Sequence, residues 1–148
     1  MTQTKNSQEL TEWKPYNLDY YAQELVLKHR DKKNVINESH KMRMAVAYGL
    51  ERFWGEHLRL KYDKKEENQN KSKYWKDVWN QLAIILSRAG VKLHNDEINS
   101  RDETTQIKEM AQKLWSMPIS EQRVALMVLT QLCDALVWWT QRYKKQDS

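Results

Sequence analysis

Three glycines and two prolines are all that interrupt this chain of 148 residues. Tight hairpins need glycine, asparagine or aspartate at positive φ, and β-sandwiches need many such turns. A chain this poor in turn formers has little material for sheets. Helices are the route left open, and the spacing of the apolar residues follows it.

Residues 1–17 are polar, with Trp13, Pro15 and Tyr16 as the only anchors, and read as an N-terminal arm. A first helix is expected after Asn17, whose short side chain can cap it, running to about His29. The sequence RDKKN (30–34) breaks the pattern. A second helix is expected over 38–62, where Met42, Val46, Leu50, Phe53, Trp54 and His57 recur at three and four and mark a buried stripe. The stretch DKKEENQNKS (63–72) has no apolar residue and reads as a solvated loop. The third helix places Trp75, Val78, Trp79, Leu82, Ile85, Leu86 and Ala89 on one face, and Gly90 stands where a left-handed C-cap belongs.

After the loop VKLHNDEIN, Ser100-Arg101-Asp102-Glu103 reads as a capping box. It opens a fourth helix with Ile107, Met110, Ala111, Leu114 and Trp115 on its buried stripe. Pro118 ends that helix, and Ser120 caps a fifth that extends to about Lys144. This last helix is apolar nearly all round, as a helix at the centre of a bundle is. The expected fold is all-α: a single-domain bundle of about five helices over 18–148, with the C-terminal helix at its centre.

Trp138 and Trp139 sit side by side near the end of that helix, and helical neighbours point about 100° apart. Trp139 falls in register with Leu132, Leu136 and Tyr143, on the core stripe. Trp138 falls in register with Gln131, Asp134 and Arg142, on the polar one. It is either a contact for a partner or a ring covered by Arg142 through cation–π stacking.

The formal charge of +5 is unevenly placed. Residues 1–40 carry six basic and six acidic side chains, residues 41–92 twelve and six, and residues 93–148 seven and eight. The middle third therefore holds an excess of +6, the kind of block that attracts polyanions. Lys41, Tyr48, Arg52 and Arg59 line the polar face of the second helix, and Gly55 leaves room for close backbone approach. Lys64, Lys65, Lys71, Lys73 and Lys76 follow. Cations that track phosphates, interleaved with rings that stack on bases, are what sequence-tolerant single-strand binding uses.

Catalytic signatures are weak. The four histidines show no pairing at metal-ligand spacing, and there is no phosphate-cradling glycine loop or nucleophile elbow. No metal and no cofactor is expected. Arg52-Phe-Trp-Gly-Glu-His57 has the arginine–histidine spacing of HEPN ribonucleases, which are also small all-α proteins, and Arg88 with His94 has it too. That resemblance implies that the arginine and histidine act on the scissile phosphate and the 2′-hydroxyl proton.

Two patches resemble the small helical subunits of type III CRISPR effector complexes. NESHKMRMA (37–45) is similar to the polar, hydroxyl-containing lead-in to an arginine at a helix start, here Ser39 and Arg43. LTQLCDALVWWTQRYKK (129–145) is similar to that family's last helix, an apolar run with an aromatic, basic end. The resemblance implies a non-enzymatic subunit of a ribonucleoprotein assembly in antiviral defence, stacked along RNA, with Arg43 as a phosphate contact.

The expectation is thus a non-catalytic protein that binds single-stranded RNA or DNA without base specificity, beside other protein subunits. Its binding residues are Lys41, Arg43, Tyr48, Arg52, Arg59, Lys73 and Lys76, with Trp138 and Arg142 as partner contacts. A HEPN-type ribonuclease and a protein-binding adaptor are the alternatives. The lone Cys133 has apolar neighbours and reads as a small buried side chain. No apolar run approaches the roughly 20 residues of a membrane span. MTQTKNSQEL lacks the pattern of a secretory signal, so a cytoplasmic location without membrane contact is expected.

Overall fold

In the computed structural model, which describes residues 17–99 and 101–144, the apolar periodicity resolves into six α-helices. They are α1 (Leu18–His29), α2 (Glu38–Ala45), α3 (Leu50–Lys61), α4 (Glu66–Arg88), α5 (Glu103–Trp115) and α6 (Ile119–Tyr143), with a 3-10 turn, Val46–Tyr48, between α2 and α3. There is no strand among the described residues. The polar arm, apart from Asn17, and Ser100 of the expected capping box lie outside them.

Two long helices form the axis. α6 packs against α1, α2, α4 and the 3-10 turn, burying Ala125, Val128, Leu129, Leu132, Cys133 and Leu136 completely. α4 packs against α3, α1 and α2 as well, through Tyr74, Trp75, Val78, Trp79, Leu82, Ile85 and Leu86. Phe53 of α3 lies between two of these rings, 4.9 Å from Trp75 and 6.2 Å from Trp79. Each fully buried ring of this size is worth about 1.5–3 kcal/mol or more over exposure, so the α3–α4 seam is the strongest single packing element. A buried polar chain ties the other seam: Ser39 Oγ lies 2.6 Å from the Tyr74 hydroxyl and 2.7 Å from Thr140 Oγ1, joining α2, α4 and α6.

The expected second helix is two helices. Gly49, at φ 97° and ψ 174°, breaks it, a conformation open to glycine and closed to side chains. Its N–H donates to the Val46 carbonyl and closes the 3-10 turn, while its own carbonyl accepts from Phe53 and opens α3. The expected loop over 63–72 is also corrected, since α4 begins at Glu66. Glu66 and Glu67 sit in its first turn, where negative charge matches the helix dipole. The rest of this polar turn is held by polar contacts: Ser72 Oγ donates to the His57 carbonyl, and Lys71 pairs with Glu67 at 3.4 Å.

Several boundary devices differ from expectation. Asn17 precedes α1 in the left-handed region, without a side-chain capping bond. Asp102 caps α5, accepting from the Thr105 N–H at 3.4 Å. Pro118, not Ser120, holds the N-cap position of α6, and Ser120 lies in its first turn. Trp115 is 65% exposed rather than buried, and Ala89 is exposed. Gly90 does cap α4 as expected: its N–H donates to Ser87 and that of Val91 to Leu86, a Schellman pair. α6 is, by length and composition, long and apolar enough to cross a membrane, against the expectation that no such run exists. Within the bundle, its stripe from Ala125 to Leu136 is core. Cys133 is buried there, and burial pushes its thiol pKa up.

Candidate nucleic-acid interface

The structure sorts the basic residues of the middle third by what they already hold. Lys41 pairs with the buried Glu38 at 3.4 Å, and Arg59 is engaged by Glu56 one turn earlier. Arg43 Nε donates to Asp134 Oδ1 of α6 at 2.6 Å. Lys76, half-buried, donates to Asn95 and lies 3.6 Å from Glu97. Burial lowers its pKa, although Glu97 opposes the shift. Four of the six basic candidates thus have a neutralising partner. Arg52 and Lys73 have no ion-pair partner among the described residues. Arg52 lies over the Tyr48 ring, 5.4 Å from its centroid, and that ring is 68% exposed. Gly55 has only the Glu51 carboxylate within 4 Å of a would-be Cβ, an ordinary contact.

Between α3 and α4 lies a cleft of about 460 Å³. Lys61, Lys73 and Lys76 line it, with Gln69, Asp77 and Glu97. Asp77 is occupied from behind by His29 at 2.7 Å and Lys28 at 2.8 Å. Lys61 closes the set of cations here, and the sequence reading did not single it out. Its signal is the i, i+4 step from His57, which lines the same cleft.

His57 is buried, and its Nδ1 is hydrogen-bonded to the Trp54 carbonyl. Burial brings its pKa down to about 4, with Lys76 and Lys61 adding to the effect and the Trp54 carbonyl opposing it. The imidazole is therefore neutral at neutral pH. Arg52 does not line the cleft that His57 lines, so this geometry does not bring the two motif residues to one reacting atom. Arg88, of the other match, donates to the Tyr21 hydroxyl and covers that ring at 5.6 Å. The His94 backbone carbonyl accepts from Trp79 Nε1 at 3.1 Å. No group of three metal-ligating side chains occurs among the described residues.

The paired tryptophans belong to a different arrangement. The Arg142 guanidinium lies 5.6 Å from the Trp138 centroid and 5.9 Å from that of Trp139. Trp139 stacks on Tyr143 at 5.7 Å and 16° between planes, and Arg30 lies 5.7 Å from the Tyr143 ring. Rings and guanidinium groups thus form one continuous stack from Trp138 to Arg30. It is held from α1, where Gln23 donates to the Tyr143 hydroxyl at 2.7 Å and Asp19 accepts from Trp139 Nε1 at 3.3 Å. Trp138, at the open end, is 54% exposed despite its arginine. The i, i+4 spacings 138–142 and 139–143 were legible in the sequence; Arg30, in the turn after α1, was not.

Fold and surface together define an all-α bundle in which Arg52, without an ion-pair partner among the described residues, lies over the exposed Tyr48 ring. No family model, no curated protein and no solved structure matches the chain.

Proposed function

We propose that this protein binds single-stranded nucleic acid, RNA first, without base specificity and without catalysing a reaction. It does so as a small subunit of a ribonucleoprotein assembly, of the kind the type III CRISPR effector complexes form. The observation that carries the reading is the Tyr48–Arg52 pair: a cation with no carboxylate partner among the described residues, set over a widely exposed ring. Lys61 and Lys73, in the cleft beside α3, supply further cations without ion-pair partners among the described residues. Such pairs serve strands of any sequence, because every base has a π-face and stacking is worth about 1–3 kcal/mol per base. The assembly part of the proposal is supported by Trp115 and Ile119, large exposed apolar side chains flanking the α5–α6 turn.

The test is fluorescence anisotropy of labelled single-stranded RNA and DNA from about 50 to 200 mM salt, with the RNA then run on a gel. The expected result is intact RNA and a log affinity that falls linearly with log salt. Replacing Arg52 and Lys73 together by alanine flattens that slope by roughly 0.7 for each lost contact. Absence of binding at the lowest salt overturns the proposal, and cleaved RNA moves it to the cleft around His57.

A further inference from the structure

The α1–α2 turn and the end of α6 enclose a second hollow, of about 200 Å³. Its lining includes Arg30, Lys32 and Lys33 from the turn and Lys144 from the end of α6, against one acid, Asp31. Two helix C-termini meet here and contribute about half a negative charge each. Among the described residues that line the hollow, these and Asp31 leave roughly two units of positive charge over. Glu67 lies nearby, but it does not line the hollow: it accepts from Asn34 at 3.2 Å and pairs with Lys71.

Arg30 distinguishes this hollow from an ordinary basic turn. Its Nε–H is buried and donates no hydrogen bond among the described residues. A buried donor on a charged group is costly to leave unmatched, and natural structures rarely leave one so. Meanwhile the guanidinium face is fixed on Tyr143, which Trp139 and Gln23 hold in turn. A planar guanidinium oriented on Tyr143, with three ammonium groups around the same hollow, matches a tetrahedral oxyanion better than a carboxylate, because one phosphate accepts from several of these cations.

We propose that this hollow is a phosphate-binding site with Arg30 as its anchor. The phosphate is either free or carried on a nucleic-acid strand, and only the second source rests on the nucleic-acid reading above. The site is separate from the α3–α4 cleft and uses none of its residues.

The experiment follows the Arg30 Nε–H resonance by NMR in the full chain, titrated first with inorganic phosphate and then with single-stranded RNA. A shift with inorganic phosphate establishes the site, and a further shift with RNA assigns the strand as its source. Arg30→Lys keeps the charge but loses both the Nε–H and the plane, and is expected to weaken phosphate binding about tenfold. Lys32→Gln with Lys33→Gln, both on the exposed turn, is expected to weaken it without touching the core. No shift with either ligand, or a wild-type affinity in Arg30→Lys, overturns the proposal. Arg52→Ala with Lys73→Ala separates the two ideas: if it abolishes RNA binding while inorganic phosphate still shifts Arg30, the hollow stands independently of the α3 face.

Discussion

Arg43 Nε and Asp134 Oδ1 stand 2.6 Å apart, joining α2 to the middle of α6. The resemblance to type III CRISPR small subunits implies Arg43 as a phosphate contact, and the structure gives it a carboxylate already in place. Both side chains are largely solvated, so the pair is worth only about 0–1 kcal/mol. Arg43→Ala is therefore expected to leave RNA affinity within about twofold and to lower stability by no more than about 1 kcal/mol in urea. A large loss of affinity at unchanged stability would mean that RNA displaces Asp134 from this arginine.

Gly49 sets the angle between α2 and α3, and with it the distance between the Arg43–Asp134 tie and the Tyr48–Arg52 pair. At φ 97° an alanine is strained even though nothing lies within 4 Å of its Cβ. Gly49→Ala is expected to cost about 1–3 kcal/mol by urea unfolding, from backbone strain alone. A neutral result would show that the corner can relax into a continuous helix.

That corner also marks where the sequence stopped being legible. The stripe from Met42 to His57 keeps its three–four spacing across Gly49, so periodicity alone reads one helix where there are two. The segment 63–72 failed in the opposite way. Its helical turns are made by Glu, Gln, Asn and Lys, and they pack through Ser72 and Lys71 rather than through apolar surface, so a hydrophobic pattern has nothing to register. The helical class, the core stripes of α4 and α6 and the Gly90 cap were plain, because each depends on spacing within one element. The stack that ends at Arg30 depends on α1 meeting α6, more than 100 residues along the chain, and no local pattern carries that.

The chain from Tyr74 through Ser39 to Thr140 predicts unequal costs for two removals of similar size. Ser39→Ala takes away the central hydroxyl and leaves the Tyr74 hydroxyl, fully buried, without that partner. Its expected cost is about 1–3 kcal/mol. Tyr74→Phe removes an end of the chain and leaves Ser39 bonded to Thr140, so its expected cost is nearer 1 kcal/mol. Urea midpoints of the two variants decide it; equal losses would mean that the three hydroxyls do not act as a chain.

His57 gives the protein a dependence on mild acid with a definite sign. Burial holds its pKa at about 4 in the folded chain, against an ordinary 6.5. Between those values the unfolded chain binds the proton and the folded one does not. Stability is therefore full above about pH 6.5 and is lost as pH falls through 4, by up to about 3 kcal/mol from this group. Subtracting the urea stability of His57→Gln from that of the wild type at each pH isolates the effect, since the carboxylates common to both cancel. The His57 ring proton should titrate near 4 by NMR. A midpoint near 6.5 would mean that the α3–α4 cleft admits water to the imidazole. The histidine would then exchange protons at neutral pH, as acid–base cleavage of RNA requires.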